Sequence, residues 1–248
     1  DLSNSGLKSL TIQGADENAQ IVSGVNGNGI DGDAPNTTDK IETNYRCPVI
    51  SIKLPAEATL TVENLTFPDD LLFDSEDGTV VVQNCVFNGA QSGYPQAKSI
   101  SYLNNTFDFQ GTASNFYSGN AYPVWYKVED AMKFVFTGNT VTGPRGVHIE
   151  TRTTEADKQV NIRVDNNSFT LTDAGYENKT IALQLVNHLN GDISFSDNSV
   201  DAYMGVCFFD DVTVEDGAAL TVENNCLVDD CKLYGSSEWN QEDATEAE

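Results

Sequence analysis

One eight-residue unit occurs seven times along the chain, and no other feature limits the fold so strongly. It reads Leu60-Thr-Val-Glu-Asn-Leu-Thr-Phe67, Val80-Val-Val-Gln-Asn-Cys-Val-Phe87 and Ile100-Ser-Tyr-Leu-Asn-Asn-Thr-Phe107. Four more copies follow: Phe134-Val-Phe-Thr-Gly-Asn-Thr-Val141, Ile162-Arg-Val-Asp-Asn-Asn-Ser-Phe169, Ile193-Ser-Phe-Ser-Asp-Asn-Ser-Val200 and Leu220-Thr-Val-Glu-Asn-Asn-Cys-Leu227. Starts at 60, 80, 100, 134, 162, 193 and 220 are 20, 20, 34, 28, 31 and 27 residues apart. Periods of this size mark solenoids, where each unit buries its apolar face only by stacking on its neighbours. Variable spacing is tolerated because an insertion can loop out of one corner of a coil.

Each position of the unit has a physical role. Positions one and three are apolar and two and four mostly polar, the alternation of a strand with one buried face. Position six is Leu65, Cys85, Asn105, Asn139, Asn167, Asn198 and Asn225. Equivalent residues on neighbouring parallel strands lie about 4.8 Å apart, and an Asn amide both donates and accepts. Five Asn in register therefore predict an internal ladder, with Leu65 and Cys85 filling the same slot. Asn also tolerates the left-handed backbone of a sharp corner. Position eight, from Phe67 to Leu227, predicts a buried apolar stack, each side chain contributing about 1.5–3 kcal/mol. Further alternating segments lie between the units: Gly146 to Thr151, Ile181 to Val186 and Gly205 to Phe209. The first coil is expected at Leu7 to Gly14, followed by Ile21 and Val22. Little α-helix is expected.

These features predict an all-β fold: a single-stranded right-handed parallel β-helix, a solenoid with an internal Asn ladder, over 1–234. Residues 235–248 read as an acidic tail or linker. Residues 24–46, 88–99 and 108–123 are rich in Gly, Ser, Asn and Tyr and read as excursions. An open coil end exposes unpaired edges, so a neighbouring domain of a larger multidomain chain is expected there.

The Asn-Cys-x-Phe form at Asn84 to Phe87 and the Asn-Asn-x-Phe form at Asn104 to Phe107 resemble the pectate-lyase-like β-helix superfamily, over about residues 7 to 234. The resemblance implies the fold. It leaves activity open among polysaccharide lyases, glycoside hydrolases, tailspikes, adhesins and proteins without known activity.

With 38 acidic residues against 13 Lys plus Arg, the formal net charge is −25. Such a surface repels phosphate backbones and anionic lipid, so neither nucleic acid nor a membrane surface is an expected partner. No apolar run reaches 18 residues, and no membrane insertion is expected. Beginning at Asp1, the chain reads as mature or trimmed, and a bacterial secreted or cell-surface location is expected. The five Cys lack metal-type spacing and read as buried thiols, or as one bridge among Cys207, Cys226 and Cys231.

Candidate chemistry gathers in a few places. Arg145, His148, Glu150 and Arg152 concentrate scarce basic groups. Alternation should turn Val147 and Ile149 inward and His148, Glu150 and Arg152 outward. Such a cluster could hold an acidic sugar, with His148 or Arg152 as base; an exposed strand carrying ion pairs is the plain alternative. The pairs Asp69-Asp70, Asp210-Asp211 and Asp229-Asp230 could supply two carboxylates for glycoside hydrolysis, or ordinary turns. The β-helical polygalacturonases combine an Asp pair with Gly-His-Gly and Arg-Ile-Lys motifs, which this chain lacks. Of the calcium Asp set and basic residue of the pectate lyases, only Arg152 and Arg163 are remote counterparts. Asn26, Asn28, Asp31 and Asp33 could offer oxygen ligands to calcium, the one cofactor considered, or form a solvated turn. Phe116, Tyr117, Tyr122, Trp125 and Tyr126 could stack on sugar rings, although the alternation of 122–128 commits some of them to a core.

No catalytic constellation is complete. The preferred expectation is a non-catalytic, carbohydrate-associated or adhesive module whose partner is a polysaccharide or a host or cell-wall glycan. A polysaccharide lyase or glycoside hydrolase acting on acidic polysaccharide is the alternative, and a structural spacer is a third.

Overall fold

The computed structural model describes residues 1–23, 49–109, 122–172, 180–228 and 230–237, without the side chains of Asp210, Asp211 and Ser237. Among these residues every regular element is a β-strand, and every strand pairing is parallel. A first sheet of eight strands runs from Ser9–Gln13 to Ala219–Glu223. A second, of seven, runs from Thr66–Phe67 to Cys226–Leu227. A third, of six, runs from Gln91–Gly93 to Lys232–Ser237, and Val49–Ser51 pairs separately with Leu72–Asp74.

The chain visits the sheets in rotation. Thr79–Gln83 lies in the first, Val86–Phe87 in the second and Gln91–Gly93 in the third, before Ser99–Leu103 returns to the first. These stacked parallel sheets are compatible with a parallel β-helix. No helix among the described residues is long and apolar enough to cross a membrane.

Register follows the repeat. Position one pairs down the first sheet as Leu60, Val80, Ile100, Phe134, Ile162, Ile193 and Leu220. Leu10 pairs with Leu60, which makes Ser9–Gln13 the matching strand of the first coil. In the second sheet, position eight pairs from Phe67 through Phe87 and Phe107 to Leu227. The Phe67, Phe87 and Phe107 rings stack with successive centroids 4.7 Å apart and planes inclined by 10°. Both rows are buried in one continuous apolar core, except where the terminal coils lack a neighbour on one side.

The corner between the first two sheets takes two residues with separate tasks. Position five has positive φ in all seven units: Asn64 (55°), Asn84 (53°), Asn104 (55°), Gly138 (70°), Asn166 (56°), Asp197 (56°) and Asn224 (56°). Left-handed backbone is costly for most L-residues and least so for Gly, Asn and Asp, the residues found there. The sequence argument put this tolerance at position six; the structure puts it one residue earlier, so that the next side chain turns inward.

That inward side chain is hydrogen-bonded from coil to coil. Asn105 Nδ2 donates to Asn139 Oδ1 (3.1 Å), Asn139 Nδ2 to Asn167 Oδ1 (3.1 Å), and Asn167 Nδ2 to Asn198 Oδ1 (3.0 Å). Asn198 Nδ2 donates to Asn225 Oδ1 at 3.0 Å. Each of these four acceptor oxygens also takes the backbone N–H of the Asn one coil earlier. The Cys85 N–H donates to Asn105 Oδ1 in the same way, so Cys85 fills the slot without extending the side-chain row.

Segment 88–99, read as an excursion, contains the strand Gln91–Gly93, buried at all three residues. Its Gly and Ser suit close packing beneath Trp125, with which Ser92 pairs. The last strand reaches Ser237, three residues beyond the expected end of the solenoid. Among the described residues, Cys85, Cys207, Cys226 and Cys231 are all free thiols.

Candidate functional site

The outer face of the third sheet carries most of the candidate groups, in two rows. Strand register places Ser92, Trp125, His148, Gln184 and Cys207 side by side. Val147 and Ile149 enter the core, as alternation requires. His148 therefore points away from the core, yet it is completely buried. The expected open face is instead a second, smaller packed layer. The His148 ring centroid lies 4.2 Å from that of Trp125, and Tyr122 meets both rings edge-on at 5.1 and 4.9 Å. The Tyr122 hydroxyl donates to Gln184 Oε1 at 2.5 Å, and His148 Nδ1 lies 3.4 Å from that oxygen. Ile181, Met204 and Cys207 extend the layer as an apolar cluster.

Burial sets the electrostatics of this layer. Loss of water holds the His148 imidazole down at about 3, so it is neutral in ordinary buffers, and raises the Tyr122 phenol to about 12. Arg145 is also buried, beside Tyr122, and its Nη1 donates to the Pro144 carbonyl at 2.7 Å.

The second row is an ion-pair network around Glu150. Its Oε1 accepts from Arg152 Nε at 2.7 Å and from Asn187 Nδ2 at 3.3 Å. Its Oε2 lies 3.7 Å from Lys127 Nζ, with only 7% and 12% of the Lys127 and Glu150 side chains exposed. Arg152 also reaches Glu129 at 3.9 Å. The Tyr94 ring packs against both cations, 5.7 Å from Lys127 Nζ and 5.6 Å from the Arg152 guanidinium. The four sequence candidates thus divide: Arg145 and His148 join the buried layer, and Glu150 and Arg152 join the network. Alternation could not have revealed Lys127, Tyr94, Asn187 or Gln184 as their partners, because those residues come from other coils.

The described aromatic candidates are not displayed for stacking. Tyr122, Trp125 and Tyr126 are all buried, and Tyr126 faces the core, where its hydroxyl is 2.5 Å from that of Tyr102. Tyr117 lies outside the described residues. So do the possible calcium ligands Asn26, Asn28, Asp31 and Asp33, and likewise the side chains of Asp210 and Asp211, whose backbone belongs to the strand Met204–Val214. Asp69 and Asp70 are buried; Asp70 Oδ1 accepts the Ala90 N–H at 2.7 Å, tying two successive turns together. Asp74 acts similarly, accepting the N–H groups of Ser75, Gln96 and Ala97. Arg163 lies on the first sheet, paired with Asp165 at 2.7 Å, and does not meet Arg152. Among the described residues no group of three or more His, Cys, Asp or Glu could hold a metal ion.

The class that this geometry defines is an all-β chain of stacked parallel sheets with a covered outer layer on one of them. Comparison with known proteins gave no match to a family model, a curated protein or a solved structure.

Proposed function

We propose that the chain is a right-handed parallel β-helix with an internal Asn ladder, of the pectate-lyase-like kind, and a non-catalytic carbohydrate-associated or adhesive module of a bacterial secreted or cell-surface protein. One observation carries the non-catalytic reading. Glu150, the best-placed carboxylate, is held by Lys127, Arg152 and Asn187 at once. A general acid or base must reach a substrate proton, and both oxygens of this nearly buried carboxylate already face protein cations or amides. His148, one of the two candidate bases, is completely buried.

Two features support attachment to a neutral or polyhydroxylated surface. Exposed Thr106, Thr140, Ser168 and Ser199 form one hydrogen-bonding row down the second sheet. A charge of −25 disfavours polyanions.

A glycan array, run with and without calcium beside assays for new reducing ends and unsaturated uronates, tests the reading. Retention without product is the expected result. Chain cleavage of any retained glycan would replace it with the enzyme reading.

A further inference from the structure

Two hollows open on the outer side of the first sheet and its approach turns. One, of about 590 Å³, is bordered by Asp77, Gln96, Lys98, Asp130, Lys133 and Gln159. The other, of about 720 Å³, is bordered by Lys133, Gln159, Asn161, Arg163, Ser194 and Thr221. Lys133, Gln159 and Asn161 line both, so the hollows meet.

Together they span six successive coils, from the turns at Asp77 and Lys98, just before Thr79 and Ser99, through Lys133 and Asn161 to Asp192, whose N–H donates to Asn161 Oδ1, and Ala219. Five steps between parallel strands give a trough roughly 24 Å long, parallel to the coil axis.

Its floor repeats with the coils. Lys133, Asn161 and Asp192 form one column and Arg163, Ser194 and Thr221 another, so each rung offers a donor, an acceptor or both. A polymer that presents hydroxyls at regular intervals can meet such a row one unit after another.

Charge narrows the choice. Lys98 is 3.9 Å from Asp77 and Arg163 is paired with Asp165, while Asp130 and Asp192 add negative charge. Only Lys133 is an exposed cation in the trough with no ion pair among the described residues. A polyuronate would meet more carboxylates than free cations.

We infer that this trough binds a linear neutral glycan lying along the coil axis. The inference rests on the carbohydrate reading above but assigns it to the first sheet, away from the Glu150 network.

Affinity electrophoresis of the whole chain tests it, in gels holding a neutral linear glucan, mannan or xylan, or polygalacturonate, against a polymer-free gel. At least one neutral polymer should retard the protein more than polygalacturonate does. Gln159→Trp and Ser194→Trp fill the trough from its rim and floor, and each should weaken that retardation about tenfold, equivalent to about 1.4 kcal/mol. Gln159→Ala, which disturbs no buried group, serves as the milder variant if a Trp chain does not fold; it too should weaken retardation. Tyr94→Ala, just after the third-sheet strand Gln91–Gly93, should leave it unchanged.

Retardation that survives the trough variants and disappears with Tyr94→Ala overturns the trough while keeping the carbohydrate reading. Preference for polygalacturonate overturns the neutral class. Absence of retardation in every polymer overturns both the trough and the reading it rests on.

Discussion

Asn139 and Asn167 stand 28 residues apart in sequence, yet the backbone N–H and the side-chain Nδ2 of Asn139 both donate to Asn167 Oδ1, at 2.8 and 3.1 Å. Asn167 in turn donates to the Phe136 carbonyl and to Asn198. Replacing Asn167 by Ala strips partners from groups on both neighbouring coils. An unsatisfied buried donor or acceptor costs about 1–3 kcal/mol. Asn167→Ala should therefore lower stability by about that amount, and an unchanged denaturant midpoint would show that these bonds contribute little.

Position five makes the opposite demand, for backbone freedom without a buried side chain. Asn166 is exposed at φ 56°. Left-handed conformation costs roughly 1–2 kcal/mol for an ordinary residue and little for Gly. Asn166→Val should destabilise by about that range, whereas Asn166→Gly should stay within about 0.5 kcal/mol of the parent. Urea unfolding of the two variants side by side reads the difference; equal losses would point to a side-chain role for Asn166.

The buried imidazole links stability to acid. His148 titrates at about 3 in the folded chain and near 6.5 unfolded. The folded state binds fewer protons between these values, so this contribution is fully present above about pH 6.5 and is lost as pH falls toward 3. Lys127 sharpens the effect, since protonation adds a second cation near it. The slope should approach about 1.4 kcal/mol per pH unit below 6 for this group alone. Asp74 works in the other direction, because burial raises its carboxyl. The difference between the parent and His148→Gln isolates the His148 share, with Trp125 fluorescence reporting on the layer itself. Parallel pH profiles for the two chains would contradict the assignment.

Glu150 and Arg152 should respond unequally. Glu150→Ala removes the ion pair that the nearly buried Lys127 makes with Glu150, a loss expected to cost about 3 kcal/mol. Arg152 is one-third exposed, so Arg152→Ala should cost less than about 1 kcal/mol. If the network is structural, Arg152→Ala also leaves glycan retention unaltered. A clear loss of polyuronate binding in that variant would restore the basic cluster as a site.

Thiol reactivity should follow burial. Cys226 is exposed, whereas Cys207 is buried and Cys85 is both buried and held near 11. A thiolate-directed reagent should label Cys226 in the native chain and reach Cys85 and Cys207 only on unfolding. Rapid native labelling of Cys85 would place it outside the core.

The stacking of the parallel strands was largely legible because contacts between successive strands repeat. The same unit position recurs in every coil, so Leu60 through Leu220 and Phe67 through Leu227 could be aligned by eye and proved to be paired columns. The corner geometry was misplaced by one residue, although Asn, Gly or Asp at position five of every unit carried the signal. The candidate site was far less legible. Period-two alternation correctly turned His148 away from the core, but it says nothing about what lies over that face.

Local alternation and the repeat thus determined which side chains face inward and which coils stack, since both depend on short-range backbone geometry acting identically at each unit. Only the tertiary structure decided that the outer row of the third sheet is sealed, that Glu150 is already engaged, and that polar side chains of successive coils line one trough. The first two outcomes depend on Tyr122, Gln184, Lys127 and Asn187, far apart in sequence but brought together by neighbouring coils. No spacing in the chain encodes such meetings, because the intervening turns vary in length and carry no period.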